Sequence, residues 1–183
     1  MLFERQVKEG IEDALTRGKS ILLLGPRQSG KTTVVKAIVH DRYINLMDTI
    51  LFYRYNQNPS IFIHEIRDLR SSLGRKPVVI IDEVQMLPDL TNACQVMIDE
   101  DEALFIITSS SARKIKNLLP GRVALFKLST MLYSELGKHK SLMDVLNYGL
   151  LPGICRLEEQ GELEALLSDY VATYLEEEIR KEA

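Results

Sequence analysis

Residues 21–36 read ILLLGPRQSGKTTVVK, four apolar residues interrupted by a glycine-bounded polar run before a helical pattern resumes on two threonines. The run Gly25-Pro-Arg-Gln-Ser-Gly-Lys-Thr32 matches G-x-x-x-x-G-K-[ST] without deviation and stands between a strand-like and a helix-like segment, the context this motif requires. A phosphate chain approaches a backbone closely only where side chains are absent, so Gly25 and Gly30 let successive amide N–H groups turn inward as donors. Lys31 adds a compact positive charge for β- and γ-phosphates, the helix starting near it brings its positive dipole end, and the Thr32 hydroxyl is a ligand for Mg2+. The stretch therefore predicts a phosphate-binding loop formed by Gly25, Pro26, Arg27, Gln28, Ser29, Gly30, Lys31, Thr32 and Thr33. The competing reading is an ordinary glycine turn between a strand and a helix.

Outward from this loop, short apolar segments at residues 20–24, 42–46, 78–81, 103–108 and 123–128 have the length and β-branched content of strands. Helical spacing precedes them, with Leu2, Phe3, Val7, Ile11, Ala14 and Leu15 on one stripe ending near Gly18. Helix-like stretches lie between them at residues 31–40, 61–73, 90–99 and 112–118. Such alternation predicts crossover connections and a largely parallel sheet covered by helices. After Leu128 the texture changes to short helical pieces, a turn at residues 151–153, and an apolar stripe of Leu163, Leu166, Leu167, Tyr170, Val171, Tyr174, Leu175 and Ile179. The expected organisation is a core over residues 1–137 and a helical segment over 138–183, the start of a lid or of a second domain.

At 183 residues, 45% apolar and 27% charged, the chain has the composition of a soluble globular domain. No apolar run reaches the roughly 20 residues a bilayer crossing needs, and Glu4 and Glu9 occupy the place of a signal sequence's apolar stretch. These features predict a cytoplasmic protein without a membrane partner. Cys94 and Cys155 are the only cysteines and read as buried structural thiols, while His40, His64 and His139 stand singly, which gives no support to a histidine metal site. The net charge of −3 divides unevenly: residues 1–76 carry 13 basic against 8 acidic side chains, and residues 77–183 carry 10 against 18. An acidic second half argues against binding nucleic acid over the whole surface.

A second signal follows the apolar segment Val78 to Ile81, where Asp82-Glu83 ends a buried strand in two adjacent carboxylates. Carboxylates placed there face the carboxyl edge of the sheet, where open α/β sheets hold their ligands. Asp82 is then a candidate Mg2+ ligand beside Thr32, and Glu83 a candidate to accept a proton from, or orient, an attacking water. A solvated turn is the rival reading of this pair. The hydroxyl run Thr108-Ser109-Ser110-Ser111 ends the fourth strand; Ser110 is the choice for a γ-phosphate sensor, against plain capping of the helix that follows. Arg113 and Arg122 are candidates for stabilising transition-state charge, a role any surface arginine imitates in sequence.

With these residues placed, the chain resembles the AAA-like P-loop ATPases of bacteria and archaea that usually carry a C-terminal domain of unknown function. The resemblance rests on Gly25 to Thr33, Ile80-Ile-Asp-Glu-Val-Gln85, Ile107-Thr-Ser-Ser-Ser111, Gly121-Arg122, Leu128 through Tyr133-Ser-Glu-Leu136, and Tyr148-Gly-Leu-Leu-Pro-Gly153. It implies a three-layer α/β P-loop NTPase fold of AAA type, with a parallel five-stranded sheet of order 5-1-4-3-2 and a small helical C-terminal segment. It also implies ATP as the nucleotide, with Lys31, Thr32, Asp82 and Glu83 in the roles given above. Ser109 departs from the glycine that more often precedes the sensing serine. Such proteins also usually continue past this point, so the chain reads as a fragment of a longer protein.

The leading expectation is a Mg2+-dependent ATP hydrolase that repositions a protein partner or an absent domain. The alternatives are a nucleotide-dependent module that holds protein or DNA with little turnover, and, more weakly, a small-molecule kinase. Arg67, Arg70, Arg75 and Lys76 form the one modest basic cluster for DNA, against the reading of a solvated helix end. Association into a homo-oligomer follows from the resemblance alone.

Overall fold

The computed structural model describes residues 3–111, 121–137 and 140–174. The expected helix at 112–118 and Arg113 lie outside the described residues. Close packing divides the chain into two compact units, Gln6–Pro26 with Lys31–Leu128, and Met1–Arg5 with Arg27–Gly30 and Ser129–Ala183.

In the larger unit the elements run α1 (Val7–Thr16), β1 (Ser20–Leu24), α2 (Lys31–Lys36), β2 (Arg42–Asn45), α3 (Thr49–Gln57), α4 (Pro59–Leu73), β3 (Val78–Asp82), α5 (Leu90–Asp99), β4 (Leu104–Ser109) and β5 (Val123–Lys127). All five strands are parallel and lie in the order β2-β3-β4-β1-β5, the expected 5-1-4-3-2 read from the other edge. Alternation along the strands sorts side chains to two layers. Ile21, Leu23, Ile80 and Ile106 pack with Ile11 and Ala14 of α1 and Val34 and Val35 of α2. Leu22, Leu24, Val79, Ile81, Phe105 and Ile107 pack on the opposite face with Tyr55, Phe62, Ile66, Leu90 and Met97. A central strand apolar on both faces is what helices on both sides of a parallel sheet demand.

Three local differences from the sequence pattern have physical causes. The apolar pattern predicts no helix between residues 46 and 61, yet α3 forms there, started by Asp48, whose carboxylate accepts from the N–H groups of Ile50 and Leu51 at 2.8 and 3.3 Å. Leu51, Phe52 and Tyr55 face the core while Ile50 and Tyr53 are exposed, so apolar residues on two faces blur the period. α4 starts at Pro59, two residues before the expected boundary, because Asn58 caps the N–H of Ser60 at 3.2 Å and proline suits the first helical position. α2, expected over 31–40, ends at Lys36; the N–H groups of Ala37 and Ile38 bond three residues back, to Val34 and Val35. A helix built on Thr32, Thr33, Val34 and Val35 has weak intrinsic propensity and closes in this tighter turn.

The smaller unit holds α6 (Tyr133–Leu136), α7 (Leu142–Tyr148), α8 (Pro152–Cys155) and α9 (Gln160–Tyr174). Its apolar residues form two small clusters, Met131, Leu136 and Cys155 with Phe3, Val145 and Leu150, and Leu151, Ile154 and Leu163 with Leu166, Leu167 and Tyr170. The expected stripe on the last helix packs inward through Leu163, Leu166, Leu167 and Tyr170, Val171 is exposed, and Leu175 and Ile179 lie outside the described residues. Cys94 and Cys155 are both free and buried, and burial pushes both thiols up.

Candidate functional site

Strand register assembles the carboxyl edge of the sheet. β4 runs between β3 and β1, with Ile81 opposite Ile107 on one side and Leu23 and Leu24 opposite Thr108 and Ser109 on the other. One further step along β3 and β4 sets Asp82 beside Thr108, and parity turns both side chains to the face covered by α1 and α2. Thr32, in the first turn of α2, stands over that same face.

Asp82 is 1% exposed and accepts hydrogen bonds from three hydroxyls. Thr32 Oγ1 and Tyr43 Oη each donate to Oδ2 at 2.7 Å, and Thr108 Oγ1 donates to Oδ1. Thr108 Oγ1 also accepts from the Glu83 N–H at 3.0 Å, so one threonine anchors both members of the acidic pair. Burial, then the bond to Asp82, raises the Tyr43 phenol above its ordinary pKa and keeps it a donor. Carboxylate and hydroxyl oxygens 2.7 Å apart suit a hard cation that keeps waters and phosphate oxygens in its remaining positions. Among the described residues no cluster of three or more His, Cys, Asp or Glu offers a metal cage.

Glu83 occupies left-handed backbone at φ 59°, ψ 47°, uncommon for a side-chain-bearing residue and costing about 1 kcal/mol or more. The kink turns the chain out of β3 immediately after Asp82. Gln85 Nε2 donates to Glu83 Oε2 and, at 3.0 Å, to Ser110 Oγ, tying the second carboxylate to the hydroxyl run. Lys31 is 4% exposed; its Nζ donates to the carbonyls of Gly25 and Pro26 at 2.9 and 3.0 Å and lies 3.9 Å from Glu83 Oε1. The ammonium is thus held at the mouth of the loop between two carbonyls and a carboxylate.

Residues 27–30 belong to the smaller unit. Gln28 and Gly30 adopt positive φ, 60° and 94°, the alternation that lets neighbouring N–H groups converge, and Ser29 is fully buried. Its carbonyl accepts from Arg5 Nη1 at 2.7 Å.

Of the residues expected from sequence, Lys31, Thr32, Asp82, Glu83 and Ser110 come together in the larger unit. Arg122 does not join them. It precedes β5, whose first residue is in register with Ser20 at the start of β1, and it pairs with Asp99 at 2.8 and 3.0 Å on the opposite edge of the sheet. Of the basic cluster weighed for DNA, Arg67 bonds Glu100 and Glu102, Arg75 bonds Asp41, and Lys76 bonds Asp101. Sequence reading missed Tyr43 and Arg5. The strand parity that aligns Thr108 with Asp82 was available, but nothing in sequence marks which aromatic reaches Asp82 or which arginine reaches Ser29.

A sequence-family profile described as AAA domain matches residues 17–137. Uncharacterized proteins of Mycobacterium bovis and Mycobacterium tuberculosis are each 28% identical over 186 aligned residues, which cover 98% of this chain and 40% of theirs. The chain thus spans about 40% of the length of the curated relatives it matches. Among solved structures, C. elegans PCH-2 overlays with a TM-score of 0.55 at 18% identity, covering 80% of this chain and 50% of that one. The Aeropyrum pernix ORC2 protein, solved in ADPNP and ADP complexes, overlays with a TM-score of 0.45 at 13% identity, covering 71% of this chain and 48% of its own. The likeness to PCH-2 concerns the fold. No helix among the described residues is long and apolar enough to cross a membrane.

Proposed function

Because the chain belongs to the AAA domain family, we propose that it binds ATP with Mg2+ and hydrolyses it by attack of water on the γ-phosphate. The observation that carries this reading is the 2.7 Å contact between Thr32 and the buried Asp82, beside an ammonium already cradled by the loop. Backbone N–H groups between Arg27 and Thr33 receive the phosphates, and Lys31 exchanges its two backbone carbonyls for β- and γ-phosphate oxygens. Thr32 and Asp82 hold Mg2+, which when bound neutralises charge on the phosphate oxygens. Glu83 orients the attacking water and takes its proton, while Gln85 and Ser110 fix where that carboxylate points. Arg122, paired with Asp99 at the far edge, is left out of this chemistry.

The turnover serves to reposition a protein partner or the remainder of a longer chain, with residues 138–183 as the start of a lid or second domain. Oligomers of this chain and a cytoplasmic location belong to the same reading. A second reading, a nucleotide-dependent binding module with little turnover, draws support from Glu83 itself. Its Oε2 is engaged by Gln85 and its Oε1 lies 3.9 Å from Lys31, so its lone pairs are partly occupied.

Phosphate release by wild type, Lys31→Ala and Glu83→Gln separates the two. Hydrolysis predicts that Lys31→Ala loses ATP affinity and that Glu83→Gln binds ATP while turnover falls by about 10²- to 10⁴-fold. Equal, background-level release by wild type and Glu83→Gln, with ATP bound by both, establishes the binding module instead.

A further inference from the structure

Arg5 is 7% exposed, and its guanidinium is engaged along its whole fork. Nε donates to Glu135 Oε2 at 2.9 Å, Nη1 to the Ser29 carbonyl at 2.7 Å, and Nη2 to the carbonyls of Ser129 and Thr130 at 3.1 Å each. Glu135 in turn accepts from the Leu132 N–H at 2.8 Å, and its side chain is 3% exposed. A buried ion pair is a poor means of adding stability, because desolvating both charges offsets most of the attraction between them. Its geometry is the more informative feature. A planar fork meets three carbonyls and a carboxylate in fixed directions, which a lysine ammonium on a flexible stem does not reproduce.

We propose that Arg5, held by Glu135, is a positioning residue for the phosphate loop; the inference rests on the ATP-binding reading above. The peptide between Ser29 and Gly30 is trans and planar, so its C=O and N–H point in opposite directions. By holding the Ser29 oxygen, Arg5 turns the Gly30 N–H the other way, available to a phosphate. Gly30 adjoins this contact. At φ 94° it favours glycine, and a Cβ there would sit 3.4 Å from Arg5 Nη1 and 3.7 Å from Pro152 Cγ. These are ordinary van der Waals distances, so the positive φ is what calls for glycine there.

ATP affinity, KM and kcat are measured for the full chain and for Arg5→Lys and Glu135→Gln, with thermal melts to record folding. Positioning predicts a Kd and KM for ATP raised about tenfold in Arg5→Lys, the equivalent of one lost charge-assisted hydrogen bond. Glu135→Gln keeps an acceptor but loses the charge, and raises both about threefold to tenfold. In each case kcat moves much less than KM, because the lost interaction holds ground and transition states alike. A purely structural role lowers the melting temperature and leaves Kd and KM of the folded fraction at wild-type values, and that result overturns the proposal. If Arg5→Lys does not fold, Glu135→Gln decides alone by the same criterion. Wild type without measurable ATP affinity, indistinguishable from Lys31→Ala, overturns the nucleotide reading and this proposal together, whereas wild-type affinity in both variants overturns this proposal only.

Discussion

The two edges of the sheet treat acidic residues in opposite ways. At the amino edge acids meet cations: Asp41 with Arg75, Glu100 and Glu102 with Arg67, Asp101 with Lys76, and Asp99 with Arg122. Most of these side chains stand well into solvent, and the Arg75 guanidinium holds the Asp41 carboxyl below its usual range. At the carboxyl edge Asp82 is buried and met by the hydroxyls of Thr32, Tyr43 and Thr108, with no Lys or Arg paired to it among the described residues. Hydroxyl donors satisfy the lone pairs of a buried carboxylate without neutralising its charge. Each carboxylate named at the amino edge therefore has a cation beside it, whereas Asp82 at the carboxyl edge is met by hydroxyls alone, the contrast on which the proposed cation site rests.

The largest effects belong to the hydroxyl shell. Thr108→Val removes the donor to Asp82 and the acceptor of the Glu83 N–H, and is expected to cost about 3 kcal/mol of unfolding free energy. Tyr43→Phe removes one donor to a buried carboxylate, for about 2 kcal/mol. Urea unfolding measures both; values near zero would mean that Asp82 is solvated like the acids of the other edge.

The phenols extend the contrast to pH. Burial and the bond to Asp82 raise Tyr43, and burial with the bond to Glu65 pushes Tyr55 up to about 12. A raised folded-state pKa means that the folded chain holds these protons more tightly than the unfolded one. The stability they contribute is fully present below about pH 10, where unfolded tyrosine titrates, and is lost as pH climbs through the folded values. A spectrophotometric phenolate titration should show one late-titrating phenol fewer in Tyr43→Phe than in wild type. Loss of an early-titrating phenol instead would place Tyr43 in solvent.

The smallest effect is expected at the amino edge. Exposed pairs contribute about 0–1 kcal/mol, so Arg122→Ala should shift the melting temperature by no more than about 2–4 °C. It should leave phosphate release unchanged, and a fall in turnover would give Arg122 a part in the chemistry and erase the distinction between the edges.

How much of this was legible in sequence depended on whether the information is local. The loop from Gly25 to Thr33 declares itself because its chemistry needs glycines and a lysine at fixed spacing. Asp82-Glu83 stands out because two adjacent carboxylates end an apolar strand, a pattern shared in sequence with a solvated turn, and the sheet order came with the family resemblance. Tyr43 is different. It lies in β2 opposite Ile80, two residues before Asp82, and only the parallel register shows that a long side chain there reaches forward to the carboxylate. Arg5 lies 24 positions from Ser29 and 130 from Glu135, and no periodicity connects such partners. α3 was hidden for a third reason, because exposed Ile50 and Tyr53 fill the face that a helical pattern leaves polar.

The most direct measurement is thermal unfolding of wild type and Asp82→Asn in ATP with Mg2+ and in ATP with a chelator. A carboxyl edge completed by a metal–nucleotide pair predicts that Mg2+–ATP at about a hundred times its Kd adds about 2.7 kcal/mol of stability to wild type. The part that depends on Mg2+ should vanish in Asp82→Asn. Equal melting of wild type with and without Mg2+, or an undiminished Mg2+ effect in Asp82→Asn, would contradict the role given to the buried carboxylate.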